Sequence, residues 1–166
     1  MKLAASVPLS TSAAFVAYSP TGRFFAVGCN DGTALVVDSA THTVLHTLKG
    51  HFDAVCGCAF SPDGTLLATA SSDRDIVLWQ LATGLDVCTL TGHTNHVCSV
   101  VFTSDGKHII SVSMDCTTRM WDVSTGRKLH SLRLPHQGWS AALSAAGALL
   151  AVGCSGGMVA LFDVSN

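Results

Sequence analysis

The chain contains no glutamate; all eleven acidic residues are aspartates. Glutamate suits helix surfaces, whereas aspartate suits turns and caps. Charge of either sign is scarce, at 12% of residues, and the net charge is −2 with His neutral. That excludes the broad basic footprint of a nucleic-acid binder. The one basic cluster, Arg127, Lys128 and Arg133 with His130 nearby, reads as a solvated loop and strand edge. Without Glu there is no His-Glu-x-x-His metalloprotease motif, and no Gly-x-Gly-x-x-Gly or phosphate-binding loop is present either. Full cysteine pairing is also excluded, because seven is an odd number. Cys56, Cys58, Cys98 and Cys154 lie inside apolar runs, where a small buried thiol packs. Free thiols in a reducing compartment are expected, in the cytoplasm with the nucleus as the alternative.

Two stretches imitate membrane signals. The start, MKLAASVPLSTSAAF, has one charge and a weak apolar run that Ser6 and Pro8 interrupt, so no secretion leader is expected. Residues 134–162 carry no Lys, Arg, Asp or Glu. They are rich in Gly, Ala and Ser, hold His136 and Gln137, and keep a repeat register, so no membrane span is expected.

What the chain does have is turns. Gly occupies 15 of 166 positions, and short apolar alternations separate the turn signals. Residues 50–80 show the pattern best: a Gly-His pair, an alternation, a Ser-Pro-Asp-Gly turn, a second run, a polar turn with Asp73, and a third run ending on Trp79. That is three strands and two tight turns. Gly50-His51 recurs as Gly92-His93, 42 residues on, and Asp63-Gly64, Asp73 and Trp79 recur at the same interval as Asp105-Gly106, Asp115 and Trp121. Counting back gives Thr21-Gly22, Asp31 and Val37; counting forward 41 gives Ala146-Gly147, Gly156 and Phe162. Leu134-Pro135 replaces the Gly-His pair in the last unit. Short runs at 43–48, 86–90 and 128–132 add a further strand per unit. One domain over 1–166 is expected, with units at about 7–48, 49–90, 91–132 and 133–166. Residues 2–6 fall where a closing strand for the last sheet would sit.

These residues resemble the WD-repeat family of β-propellers. The likeness rests on Gly50-His51…Trp79 and Gly92-His93…Trp121-Asp122, each with 28 residues from His to Trp. Departures are Gln80 in place of a second Asp, and the first and last units, which lack His and Trp at the matching positions. The implied fold is all-β: four blades of four antiparallel strands, as a small closed ring, half of a dimeric propeller, or a fragment of a larger one. The resemblance also implies buried polar tetrads of His51, Thr69, Asp73 and Trp79, and of His93, Ser111, Asp115 and Trp121. The same His, hydroxyl and Asp have the composition of a hydrolase triad, but a hydroxyl in a strand under a Trp reads as structural. His93, His96 and Cys98, or Cys56 with Cys58, lack the spacing and companion pair of a zinc site. No enzyme activity, metal, cofactor, nucleic acid, membrane or small-molecule substrate is expected.

The expected function is a protein-interaction scaffold. In this family the loop before the first strand and the loop with the tetrad Asp share one face. On this chain the first loops hold Phe52, Asp53, Thr94, Asn95, His96, Gln137 and Trp139, and the second-loop position falls after Asn30, Ser72, Met114 and Ser155. Trp139 and Met114 stand out, because aromatic residues and Met are favoured at interface centres. The partner would be a protein or peptide, with self-association also open. The alternative is a structural piece of a larger WD-repeat assembly with no binding of its own.

Overall fold

The computed structural model describes residues 6–164. The first sheet takes β1 (Ala13–Tyr18), β2 (Phe24–Cys29), β3 (Thr33–Asp38) and β4 (Val44–Lys49). The second takes β5 (Val55–Phe60), β6 (Leu66–Ser71), β7 (Ile76–Gln80) and β8 (Leu85–Leu90). The third takes β9 (Val97–Phe102), β10 (His108–Ser113), β11 (Thr117–Asp122) and β12 (Lys128–Arg133). The fourth takes β13 (Gly138–Leu143), β14 (Leu149–Cys154) and β15 (Met158–Asp163). Each sheet is an antiparallel meander in chain order, and the sheets form a β-propeller arrangement. The uncharged stretch 134–162 therefore lies mostly in strands.

The turn chemistry is repeated with the sheets. Between β5 and β6, Asp63 Oδ1 accepts from Thr65 N at 3.0 Å, and Ser61 Oγ accepts from Leu66 N at 2.9 Å. The equivalent turns before β2 and β10 bond the same way through Ser19 and Thr103. The pairing between the first two strands slips once per sheet, beside Ala14, Cys56, Cys98 and Trp139. A bulge at one place in every blade bends the innermost strand and re-aims one side chain.

The core lies between the sheets rather than within any one of them. Ala26, Val36 and Leu48 of the first sheet meet Val55, Phe60 and Leu67 of the second. Ala70, Ile76 and Leu78 meet Val97, Phe102 and Ile109 in the next junction. Ile110 and Val112 meet Leu150 and Val152 in the third. The innermost strands β1, β5, β9 and β13 pack in that sequence, and among the described residues no comparable junction joins the fourth sheet to the first.

Two expectations need revision. The fourth sheet has three strands among the described residues, not four. The strand expected to complete it, at 2–6, falls on residues outside the described ones except Ser6, which joins no strand. Second, Cys58 is buried, but Cys56, Cys98 and Cys154 are half-buried. The difference is one of strand face: Cys58 points into a junction, while Cys56 and Cys98 sit on bulges. All seven cysteines are unpaired.

Close approach of sheets demands small residues. A Cβ at Gly28 would lie 2.6 Å from the Val55 carbonyl oxygen, a backbone atom of the next innermost strand. Gly28→Ala should therefore destabilise the chain by about 1–3 kcal/mol through overpacking. Urea unfolding measures it, and an unchanged midpoint would refute this account of the first junction.

Candidate functional site

Two buried polar tetrads lie at the loop end of the second and third sheets. In the second, Trp79 on β7 faces Thr69 on β6, and its indole N–H donates to Thr69 Oγ1 at 2.8 Å. Asp73 is acceptor-only, so His51 Nδ1 carries the proton and donates to Asp73 Oδ2 at 2.8 Å. The neutral ring then offers Nε2 as an acceptor for the Thr69 hydroxyl, also at 2.8 Å. Phe52 N donates to the same Asp73 oxygen at 2.9 Å, so the carboxylate ties the first loop to the second. The Gly-His pair has a steric reason too. A Cβ at Gly50 would fall 2.8 Å from Trp79 Cη2, so the indole lies against the glycine backbone.

The third sheet repeats this with Ser111 as the hydroxyl. Trp121 Nε1 donates to Ser111 Oγ at 2.8 Å, and His93 spans Ser111 (2.8 Å) and Asp115 (2.7 Å). Asp115 accepts further bonds from Thr94 N, Thr117 N and Thr117 Oγ1, and Arg119 approaches it at 3.5 Å. Burial is the largest influence on Asp115 and acts to raise its pKa. Bonds from Thr117, His93 and Thr94 outweigh it and hold the carboxyl at about 2. Burial pushes His93 below its ordinary value, against the opposing pull of Asp115. Asp73 is likewise lowered: burial opposes, and the N–H groups of Asp75 and Phe52 with His51 prevail.

As chemistry, these groups are closed. Thr69 and Ser111 are 0% exposed, and each hydroxyl is held between an indole and an imidazole. Neither can meet a substrate. Among the described residues no three His, Cys, Asp or Glu side chains converge on a metal position.

The exposed part of the site is the loop rim above the tetrads. Phe52 is 96% exposed and Trp139 50%. Asp53, Thr94 and His96 are exposed, while Asn95, Ser72, Met114 and Ser155 are half-buried; Asn30 and Gln137 are exposed. Asp53 and Asn95 also cap their own loops, accepting from Ala54 N at 2.7 Å and His96 N at 2.9 Å. In every sheet the second loop is bonded to the first. Asn30 N donates to Ser12 O, Ser72 N to Ala54 O, Met114 N to His96 O and Ser155 N to Gln137 O, at 2.8–3.0 Å. The bulge residues complete the rim: Cys56 Sγ lies 3.2 Å from Ser72 Oγ. The Cys98 thiol is pushed up to about 11, by burial first and then by nearby Cys56. Bulge residues of successive sheets are therefore neighbours, and Trp139 occupies that place in the fourth.

Sequence reasoning passed over Ser71 and Ser113. Both are fully buried, donate to the carbonyls of Asp53 and Asn95, and accept the N–H of Asp73 and Asp115. They stand 42 residues apart, so the repeat itself was the available signal.

The family description "WD domain, G-beta repeat" matches residues 10–38, 42–80 and 84–122. The last two segments each begin near the outer strand of one sheet and end on the third strand of the next. Units of sequence and sheets of structure are thus offset by one strand, which locks neighbours together. No curated protein matches the chain.

Ser111→Ala leaves the Trp121 N–H and the His93 ring without their shared partner, at a cost of about 1–3 kcal/mol in urea unfolding. A stability loss below 0.5 kcal/mol, on the order of an ordinary surface change, would contradict the structural role. For the tetrad of the third sheet the pH dependence has one sign. Folded His93 and Asp115 both bind fewer protons than their unfolded counterparts, so stability rises with pH. Acidification should lower the urea midpoint below pH 6.5 through His93, and again from 3.8 towards about 2 through Asp115. Asp115→Asn should shrink the second fall, leaving the part that Asp73 and Asp122 supply because they are lowered too; an undiminished fall in that variant would assign it elsewhere.

Proposed function

The chain belongs to the WD-repeat family, and from that premise we propose that it is a non-catalytic scaffold capturing a protein or peptide segment on its loop face. Propellers of this family generally serve as protein-interaction scaffolds. The observation that carries the reading is Trp139, a half-exposed indole on the bulge of β13. The equivalent bulge positions hold Ala14, Cys56 and Cys98, so Trp139 is the one large aromatic among the four bulge residues. A rigid aromatic on a preorganised rim loses little entropy on binding and suits the centre of an interface. The tetrads hold the rim in the second and third sheets, and beside Trp139 the Ser155 N–Gln137 O bond ties the two loops together. Buried hydroxyls in both tetrads support the non-catalytic half of the reading. A reducing compartment, the cytoplasm or nucleus, suits seven unpaired thiols.

Peptides selected from a random display library on the wild-type chain provide the test. Trp139→Ala and Met114→Ala should each keep the wild-type urea midpoint and weaken the selected peptides at least about tenfold, the loss expected of a central contact. Peptides that bind both variants as tightly as wild type would overturn the assignment of this face.

A further inference from the structure

The two outermost sheets each leave one apolar face unmatched. In the built junctions, the leading face of one sheet meets the trailing face of the next. The trailing face of the first sheet carries Val16, Tyr18 and Phe25, in register with Cys58, Phe60 and Leu67 of the second; Val7 and Leu9 of the segment before β1 line a cavity with them but leave Tyr18 and Val16 exposed. Phe60 is 8% exposed, but Tyr18 is 66%. The leading face of the fourth sheet carries Val159 and Leu161, in register with Ile76 and Leu78. Leu78 is 0% exposed, but Leu161 is 69%.

A glycine gives a second, independent mark. Gly153 is in register with Gly28, where an added Cβ would strike the Val55 carbonyl of the next sheet. At Gly153 the nearest atoms belong to Ser140 of its own sheet, the closest at 3.4 Å. The fourth sheet thus has the same clearance as the first, whereas Ala70 and Val112 fill that position in the other two junctions.

We infer that a second copy of this chain covers both faces: the fourth sheet of each copy packs on the first sheet of the other. The internal junctions support that occupant. The two free faces are opposite halves of the junction that the chain already builds three times, and one chain carries both halves. A twofold pair would make two identical junctions and close an eight-bladed ring, within the four to eight blades known for propellers. This surface is separate from the loop face and does not depend on it.

Light scattering on the eluting full chain decides the matter. The expected result is one species of twice the 17.2 kDa chain mass. Val16→Asp and Leu161→Asp alter residues that are exposed in the single chain, so each variant should keep its far-UV circular dichroism. Each should also run at half the wild-type mass. A wild-type chain that elutes as a monomer would overturn the inference, because the faces then do not recognise each other. A wild-type pair that survives both substitutions would place the interface elsewhere. A concentration-dependent ladder of larger species would replace the closed ring with an open filament of the same copies.

Discussion

A four-stranded sheet with apolar side chains on both faces cannot bury them alone. It needs a neighbour on each side, as every unit of a repeat architecture does. The rest of this chain follows from that constraint. Ala26, Gly28 and Ala70 are small because the next innermost strand comes close; Phe60 and Phe102 are large because they fill the gap that small residues leave. Each buried aliphatic side chain contributes roughly 1.5–3 kcal/mol, and nearly all of that lies in contacts between sheets. Stability is therefore shared by pairs of sheets.

The tetrads solve a different problem. A large indole is useful in a junction, but its N–H must find an acceptor once buried. Thr69 and Ser111 supply one, and that hydroxyl then needs His51 or His93, which in turn needs Asp73 or Asp115. The last acceptor also takes loop N–H groups, so a demand that starts in the core ends by fixing the loop rim. The outer two sheets avoid the demand altogether. Val37 and Phe162 stand in place of Trp, Val27 and Val152 in place of the hydroxyl, and Leu134 is buried in the third junction. Removing donor and acceptor together costs far less than removing either. Those sheets still pack, but among the described residues their two loops are tied to each other through backbone bonds, at Asn30–Ser12 and Ser155–Gln137.

Much of this was legible in the sequence for physical reasons. The period shows because each unit must repeat the same turn, and Asp63-Gly64 and Asp105-Gly106 are what such turns need. Strand number in the first three sheets follows from alternation between those turns. Side-chain direction at a bulge was not legible. Alternation assigns Cys56 and Cys98 to an ordinary strand face, and only a register slip turns them to the rim beside the second loop. The same slip is why Trp139 stands half exposed rather than inside its own blade. Ser71 and Ser113 were hidden for another reason: a small hydroxyl in an apolar run resembles a tolerated polar residue until its partners are seen.

Alternation also says that a residue is apolar without saying what covers it. Tyr18 and Phe60 read alike in sequence, as do Leu161 and Leu78. Their burial differs because one of each pair has a sheet against it and the other does not. An exposed apolar sheet face of this kind is a mark of interaction rather than ordinary surface. It also bears on the loop rim. The capture proposed at Trp139 needs the fourth sheet held steady, and among the described residues that sheet has a built neighbour on only one side. Whatever occupies its other side would stiffen β13 and its bulge by the means that hold β5 and β9. Covering the face and presenting the rim are then two effects of the same packing.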